Sequence, residues 1–323
     1  MAAVSFNQRR RYIDIAKGLC IALIVLRHSP GGHDYLWLIH LTIPMFFFLS
    51  GIFFKESDSL TVMLRKKTNK ILIPFLFFYT LSWVWHIAAI RMGVLGSENR
   101  VPFFKFLYGG FFNNPIWFLL SLFECIVITW GICNIVKNQW LRLALVLICA
   151  LFGYLTSGKC WAYLNSALTA LPFFYLGYIL EQNKQRLCGG YNLLSVSLLS
   201  GGGYLLGLIF MQHHHIEFVT NEYYGNGFLA YLFSLLIIVF VLTLCKFIDK
   251  MKILEYLGTS SLAILCIHQP LIQVLRKIVV ESPYQGWIIW ISVLLLCSVA
   301  VPILNLYLPF FIGQKNLINC KNK

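Results

Sequence analysis

The chain has 323 residues, of which 59% are hydrophobic and only 12% charged, and its mean hydropathy is +0.74. A water-soluble globular protein does not tolerate this balance, so composition excludes that class and predicts an integral membrane protein. The formal net charge of +14 does not indicate nucleic-acid binding, because basic residues beside apolar spans orient a protein in a bilayer and no nucleic-acid motif is present.

Apolar runs of the length that a bilayer requires, about 17 to 25 residues, predict the helices. The fold class is therefore predicted to be all-α, a polytopic bundle of about ten transmembrane helices in a single domain, 1–323. Pro302 and Pro309 interrupt the last run and the fifth is short, so nine or eleven helices stay open. The runs lie at 12–28, 37–54, 71–90, 115–136, 140–156, 161–180, 192–211, 226–246, 256–275 and 286–312.

Lysine and arginine decide the predicted orientation, because cytoplasmic connections carry an excess of them. One alternating set of connections is rich in basic residues, which places both termini in the cytoplasm. That set holds Arg9 to Arg11, Lys17, Lys55, Arg65 to Lys70, Lys137, Arg142, Lys184, Arg186, Lys246, Lys250, Lys252 and the tail. In the other set, the aromatic and glycine-rich connection 91–115 is more typical of an interfacial or re-entrant segment than of a plain loop.

The first predicted helix carries buried charge, with Asp14, Lys17 and His28 on one face at about 100° per residue. Lys17 and His28 lie about 16 Å apart along the helix axis, most of the way across an apolar slab. Ionisable groups inside a membrane segment are costly and usually face a cavity or the bundle interior, so this face is a candidate site. In an alternative interpretation, Asp14 and Lys17 simply pair at i,i+3 near the interface.

Glu124 is the other acidic residue well inside an apolar run, and it is a candidate partner for an imidazole. It is equally compatible with a protonated carboxyl that bonds to a neighbouring helix. The ten cysteines are scattered, with no C-x-x-C and no metal-ligand spacing. The adjacent His213, His214 and His215 do not converge on one point without a special turn. We therefore predict no metal.

A set of motifs in order along nearly the whole chain resembles membrane acyltransferase family 3, especially its branch of sugar O-acetyltransferases similar to fucose 4-O-acetylase. After Lys17 and His28 come PMFFFLSG at 44–51, a basic stretch before Pro74, WFL at 117–119, and GTSSLAILCIHQP at 258–270. The resemblance implies a ten-helix bundle that transfers acetyl from cytosolic acetyl-CoA to a sugar hydroxyl. Some members carry an extracytoplasmic esterase-like domain, which we do not expect in this chain.

The resemblance also implies site residues. The family's basic residue and histidine on the first helix correspond to Lys17 and His28, and its R-x-x-R before a proline corresponds to Lys67 and Lys70. Lysine keeps the charge but loses the bidentate phosphate geometry of arginine. The histidine that the branch often has two residues before Pro44 is Thr42 here, with His40 displaced. The expected set is His28, Glu124 and Asp14 for catalysis, Lys17, Arg65, Lys66, Lys67 and Lys70 for the donor, and Trp117 and His268 for the acceptor.

The expected partners are acetyl-CoA, a carbohydrate acceptor such as a surface polysaccharide or a lipid-linked sugar, and membrane lipids, with a homo-oligomer also open. The expected location is a bacterial cytoplasmic membrane. A transporter or flippase of a lipid-linked sugar is the alternative function, because it would also have many helices with polar interiors. Paired halves, which are frequent in transporters, are not found in this sequence.

Overall fold

The computed structural model describes residues 11–318, apart from residues 36, 57–58, 94–99, 111–112, 160, 184–191, 211–212 and 249 and the side chains of residues 33, 39 and 210. Arg9, Arg10, Lys184, Arg186 and the tail after 318 therefore lie outside the described residues. The helices are α1 Arg11–His28, α2 Trp37–Ile52, α3 Leu60–Lys67, α4 Ile73–Arg91, α5 Trp117–Ile135, α6 Gln139–Leu155, α7 Leu164–Gln182, α8 Leu193–Phe210, α9 Gly227–Ile248, α10 Lys252–Thr259, α11 Ser261–Ile278 and α12 Gln285–Tyr307.

The apolar runs form helices because a bilayer offers no water to bond backbone polar groups, which must be satisfied within the segment. Among the described residues, four helical stretches are long and apolar enough to cross a membrane: Leu60–Arg91, Asn114–Ile135, Gly227–Ile248 and Gln285–Tyr307. The bent pair α10 and α11 adds a fifth if it counts as one span. The prediction of an all-α membrane protein is confirmed, whereas ten spans and the orientation of the termini stay predictions.

The exposed side chains of the outer helices are apolar, as expected where lipid replaces water. On α12 this face is formed by Ile288, Ile291, Leu295, Val299 and Ile303, all largely exposed. On α6 it is formed by Leu147, Ile148, Leu151 and Leu155. Such continuous apolar surface is not tolerated in water, so these faces contact lipid or another membrane protein.

The predicted helix 256–275 is in fact two helices, α10 and α11, which meet at an angle of 84°. α10 packs against α1 with backbone in contact with backbone. A Cβ at Gly258 would lie 1.9 Å from the carbonyl oxygen of Asp14, and one at Gly18 would lie 1.9 Å from that of Leu254. Only glycine allows this approach, so the two glycines bring α10 onto the turn of α1 that carries Lys17.

The helices α2 and α7 approach each other in the same manner. A Cβ at Gly51 would lie 1.9 Å from the carbonyl oxygen of Phe174, and one at Gly177 would lie 2.0 Å from that of Phe48. The glycine of the PMFFFLSG motif therefore serves close helix packing, as small residues do in membrane bundles. This contact fixes α2 beside α7.

The predicted and observed helix ends differ most at two places. The predicted helix 71–90 is preceded by α3 and by a π-helical turn, Thr68–Leu72, so that helical structure begins at Leu60. The last predicted helix, 286–312, ends at Tyr307, because Leu308 precedes Pro309 and a residue before proline is driven out of the α conformation.

A β-hairpin lies between α8 and α9, formed by β1 His215–Glu217 and β2 Glu222–Tyr224. Its turn contains Asn221, which has a φ of +53°, a conformation that asparagine tolerates better than most residues. The Asn221 amide donates to the carbonyl oxygen of Gly153 at 2.9 Å and accepts from the Thr169 hydroxyl at 2.7 Å. The turn is thereby fixed to α6 and α7.

The described part of the connection 91–115 folds back along α4. It includes a 3-10 turn, Phe103–Tyr108. The Tyr79 hydroxyl donates to the carbonyl oxygen of Phe103, and the Trp83 indole donates to that of Val101 at 3.4 Å. This aromatic packing agrees with a segment at a membrane interface, although its depth stays a prediction.

Candidate active site

A cavity of about 500 Å³ lies between α1, α2, α5, α11 and the β-hairpin. Its lining from α1 consists of Lys17, Ile24, Arg27 and His28. Lys17 and His28 are the pair that helical periodicity predicts on one face, about 16 Å apart. The structure thus brings both residues to one cavity, with Lys17 at one end and His28 at the other.

The Lys17 end is bordered by Ser50, Ser261 and Leu262. The last two begin α11 directly after α10, which contacts α1 around Asp14 and Gly18. The Lys17 Nζ lies 4.4 Å from the centre of the Phe53 ring, within the range of a cation–π contact. A cation is therefore held at this end of the cavity.

The basic stretch Arg65–Lys70 borders the Lys17 end without lining it. None of Arg65, Lys66, Lys67 and Lys70 is among the lining residues, but Ile71 is. Gly313 ties the stretch to α11, because a Cβ there would lie 3.0 Å from the carbonyl oxygen of Lys70 and 3.4 Å from the Leu262 side chain. The positive charge of the stretch therefore lies close to the Lys17 end of the cavity.

The middle of the cavity is apolar. Ile24, Phe46, Phe118 and Leu265 form its walls. The Phe118 ring packs edge-on against Phe46 and Phe47, with ring centres 5.8 and 4.8 Å apart. An uncharged passage therefore joins a cationic end to an end that carries an imidazole.

At the His28 end, His28 and His268 have their ring centres 5.4 Å apart and their planes tilted by 46°. His268 is fully buried, and its Nδ1 lies 2.9 Å from the carbonyl oxygen of Ile264. A carbonyl only accepts, so Nδ1 carries a proton and Nε2 of the neutral ring is an acceptor. This Nε2 is buried and has no hydrogen-bond partner among the described residues.

Pro270 explains how this part of α11 is held. A proline inside a helix donates no hydrogen bond to the carbonyl four residues earlier, which is that of Cys266. The Asn113 amide donates to the Cys266 carbonyl oxygen instead, at 2.5 Å. Asn113 immediately precedes the turn Asn114–Ile116, so this bond places the start of α5 beside His268.

Trp117, the first residue of α5, lines the cavity and is buried. Its indole stacks on the Tyr163 ring, with ring centres 5.5 Å apart and planes at 27°. Ala162 and Tyr163 have φ values of +51° and +68°, which are strained for these residue types. A strained backbone persists only where the surrounding packing holds it in place. Here the strained residue Tyr163 carries the ring that supports Trp117.

Arg27 and Glu217 form an ion pair at the His28 end, and both residues line the cavity. Their side chains are only 9% and 21% exposed. Glu217 lies opposite Glu222 in the hairpin, where two like charges are destabilising, and Arg27 compensates the charge of Glu217. The hairpin thereby closes the cavity beside His28. Arg276 is exposed, also lines the cavity, and donates to the carbonyl oxygen of His28 at 3.2 Å.

Glu124 and Asp14 are not among the residues that line the cavity. The Glu124 Oε2 is buried and has no hydrogen-bond partner within the described part of the chain. Asp14 is half-buried on the turn of α1 that contacts Gly258. Of the predicted residues, the structure therefore gathers Lys17, His28 and Trp117 in one cavity with His268 beside them, and leaves the two acids outside it.

His40, the displaced histidine, is buried in a separate cluster. Its ring packs edge-on against Tyr204, His215 and Phe233. Burial and, further, the positive charge of Arg27 lower the pKa of His215, although Glu217 acts in the opposite sense. Across the described residues, no group of three or more His, Cys, Asp or Glu side chains is placed to hold a metal ion.

Arg27, Glu217 and Gln269 are among the lining residues that the sequence did not place in the site. Glu217 is 190 residues from Arg27 in a connection without regular hydrophobic periodicity, so nothing local marks their pairing. Gln269 and Arg27 each lie next to a predicted site histidine. Gln269 and Arg27 could have been predicted from this position, because a polar or charged residue next to a histidine in a membrane segment is itself a site candidate.

Residues 10–306 match the family model for the acyltransferase domain of acyltransferase family 3. Comparison with curated proteins and with solved structures gave no match. The family match covers the cavity and every helix that lines it. This chain belongs to acyltransferase family 3, and it is a multi-pass membrane protein that transfers an acyl group to an acceptor.

Proposed function

We propose that the protein transfers an acetyl group from cytosolic acetyl-CoA to a hydroxyl of a cell-surface glycan or of its lipid-linked precursor. The observation that carries the proposal is that Lys17 and His28 line opposite ends of one cavity with an apolar middle. A donor with an anionic head and a long flexible arm matches the cationic end and the apolar middle of this cavity. The acceptor would approach from the His28 end.

The donor enters at the Lys17 end. Lys17 and the neighbouring Arg65, Lys66, Lys67 and Lys70 supply positive charge for the phosphates of CoA. The pantetheine arm extends along Ile24, Phe46 and Leu265 and brings the thioester toward His28. Lysines bind phosphate as point charges, so replacement of the family's arginines preserves attraction while it reduces geometric selectivity.

His28 acts as the base. A neutral imidazole takes the proton of the acceptor hydroxyl as its oxygen attacks the thioester carbonyl. The tetrahedral intermediate collapses, the C–S bond breaks, and the imidazolium returns the proton to the CoA thiolate. The products are the O-acetylated acceptor and free CoA. No metal has a part in this sequence of steps.

The remaining candidate residues have supporting roles in this proposal. His268 packs on His28 and positions its ring, and Trp117 provides an aromatic wall for the sugar. Asp14 lies one helical turn before Lys17, where a carboxylate orients the cation. Glu124 remains a candidate partner for the histidines, although no hydrogen bond reaches its buried oxygen from the described residues.

The proposal includes a bundle of about ten spans in a bacterial cytoplasmic membrane, with both termini in the cytoplasm. Each of the ten predicted runs overlaps an observed helix, and a bundle so built places the basic ends at one membrane surface. The His28 end then faces the outer half of the membrane, where a glycan or a lipid-linked sugar is accessible.

The test is a transfer assay with the purified full-length protein in lipid nanodiscs. Radiolabelled acetyl-CoA is supplied with glycans and lipid-linked sugars from bacterial membranes, and labelled ester is measured together with free CoA. We expect label in alkali-labile ester on the carbohydrate. Movement of the lipid-linked sugar in proteoliposomes without consumption of acetyl-CoA would instead identify a flippase.

A further inference from the structure

The His28 end of the cavity contains a polar group that the proposed steps do not use. Gln269 lines the cavity, and its Oε1 is buried with no hydrogen-bond partner among the described residues. Folded proteins rarely leave a buried acceptor unsatisfied, because it loses its bond to water and gains nothing in exchange. A hydroxyl in the cavity would satisfy it.

The position of Gln269 is fixed relative to His28. It follows His268, whose ring packs on that of His28. Pro270 follows it, and the bond from the Asn113 amide to the Cys266 carbonyl oxygen holds this turn of α11. The backbone at Gln269 is therefore held in place, and the residue lines the same cavity as the proposed base, a placement that suits a neighbour of the reacting hydroxyl.

A second polar group at this end is equally fixed. Glu217 on the hairpin is bound by the Arg27 guanidinium, and Asn221 anchors the turn of the hairpin to the carbonyl oxygen of Gly153 at 2.9 Å. The pair has no net charge, but it presents both carboxylate oxygens that accept and guanidinium N–H groups that donate. Such a pair can bind a group that both donates and accepts hydrogen bonds, as a hydroxyl does.

We infer that Gln269 and the Arg27–Glu217 pair form an acceptor subsite that binds hydroxyls adjacent to the one acetylated, so that a polyol is selected over a simple alcohol. This inference rests on the proposed function and adds to it the residues that select the acceptor. The Trp117 indole at the same cavity provides an apolar face against which the carbon skeleton of the polyol packs.

The subsite is tested with glycerol and 1-propanol as competing small acceptors. Both present a primary hydroxyl of similar size, but only glycerol has neighbouring hydroxyls. In the purified full-length protein we expect kcat/KM for glycerol to exceed that for 1-propanol by about tenfold or more. Gln269→Met should remove about tenfold of this preference, mainly through the glycerol KM, with the KM for acetyl-CoA unchanged. Glu217→Asp, which keeps the charge, should reduce the preference in the same direction.

Gln285→Met is the matched control. Gln285 lies at the start of α12, outside the cavity, and its amide donates to the carbonyl oxygen of Val279 at 3.0 Å. This variant should retain the wild-type preference, and all variants are compared by monodispersity and acetyl-CoA binding. The inference is overturned if the wild type does not prefer glycerol, or if Gln269→Met retains the preference. Absence of any acetyl-CoA consumption by the wild type, including hydrolysis, would instead overturn the proposed function.

Discussion

The imidazole of His28 is packed at a junction of three elements. His268 on α11 contacts its ring, Arg276 bonds to its carbonyl oxygen, and the neighbouring Arg27 is held by the hairpin. The contact with the His268 ring restricts the rotation of the side chain. A base that is held in one orientation removes a proton from a hydroxyl in one position, which is the requirement for regioselective transfer.

We expect His28→Gln to lower kcat by about 10²- to 10⁴-fold while the KM for acetyl-CoA stays the same, because an amide replaces a hydrogen bond but not a base. Single-turnover transfer in purified protein at saturating acetyl-CoA measures this effect. His213→Gln, in an exposed turn outside the cavity, is the matched control and should retain full activity. Near-normal turnover in His28→Gln would transfer the assignment to His268.

A second residue-scale feature is the ion pair between Glu56 and Arg142, which is bidentate with N–O distances of 2.8 and 3.1 Å. The Tyr178 hydroxyl also donates to Glu56, at 2.5 Å. Burial of the Glu56 carboxyl acts to raise its pKa, but the hydrogen bonds from Arg142 and Tyr178 outweigh burial and lower the pKa below its ordinary value of 4.5. The pair connects the turn after α2 to α6 and α7.

We expect Glu56→Gln to lower the free energy of unfolding by about 1 to 3 kcal/mol at pH 7, because the buried Arg142 loses its charged partner. The folded-state pKa of Glu56 is lowered, so its stabilising effect is complete well above pH 4.5 and is lost as the pH falls below that value. The difference in Tm between variant and wild type should therefore shrink toward pH 4. A difference that stays constant from pH 7 to pH 4 would contradict this role.

At the scale of secondary-structure elements, α10 determines the shape of the Lys17 end. It bends away from α11 and contacts the backbone of α1 through Gly18 and Gly258. The cavity residues Ser261 and Leu262 follow directly after this contact. Packing of α10 on α1 therefore sets the distance between Lys17 and the start of α11.

We expect Gly258→Ala to be strongly destabilising and to abolish donor binding, because the added Cβ would lie 1.9 Å from the carbonyl oxygen of Asp14. The matched control is Gly202→Ala on α8, where a Cβ meets nothing within 4 Å and alanine favours the helix. The Tm of each variant is measured by thermal unfolding in detergent. An equal Tm for the two variants would refute the contact between α1 and α10.

The basic stretch of α3 and the π-helical turn is the second element-scale feature. We expect Lys67→Gln combined with Lys70→Gln to raise the KM for acetyl-CoA while the acceptor KM is unchanged, because about 1 to 3 kcal/mol of charged contacts is lost from one substrate only. The control is Lys246→Gln combined with Lys250→Gln, in the last turn of α9 and in the connection after it, because neither residue lines the cavity. If the KM for acetyl-CoA is unchanged in correctly inserted protein, the basic stretch does not bind the donor and serves only to orient the protein in the membrane.

At the scale of the whole molecule, the C-terminal segment and the basic stretch lie together. The buried Asn69 amide donates to the carbonyl oxygen of Ile318 at 2.9 Å and accepts from its N–H at 2.8 Å. The residues around Lys70 and those around Ile318 are therefore on one side of the bundle, where the excess of positive charge predicts the cytoplasm.

Reporter fusions after Lys70 and after Lys323 should both respond as cytoplasmic. A single cysteine that replaces Thr220 in the hairpin, in a variant without the native cysteines, should react with an impermeant thiol reagent added outside. Opposite responses from the two fusions would contradict the Asn69 contact. Extracytoplasmic responses from both would reverse the orientation of the whole bundle.

The sequence by itself determined the class of protein, the ten apolar runs that become helices, and the pairing of Lys17 with His28 on one face. These properties are local, because hydropathy and helical periodicity are set within one segment and the bilayer enforces internal hydrogen bonding. The motifs also placed Trp117 and His268 among the site candidates. Residue spacing within one helix was sufficient to predict that Lys17 and His28 share a face.

Only the tertiary structure decided which segments close the cavity. The bend between α10 and α11, the ion pair of Arg27 with Glu217 and the burial of the Gln269 oxygen depend on contacts between residues far apart in the chain. Glu124 is a further example. Its position inside an apolar run made it a site candidate, but it lies on a face of α5 that does not line the cavity. Periodicity fixes the relative faces within one helix, but the rotation of each helix against its neighbours is set by packing, which no single segment encodes.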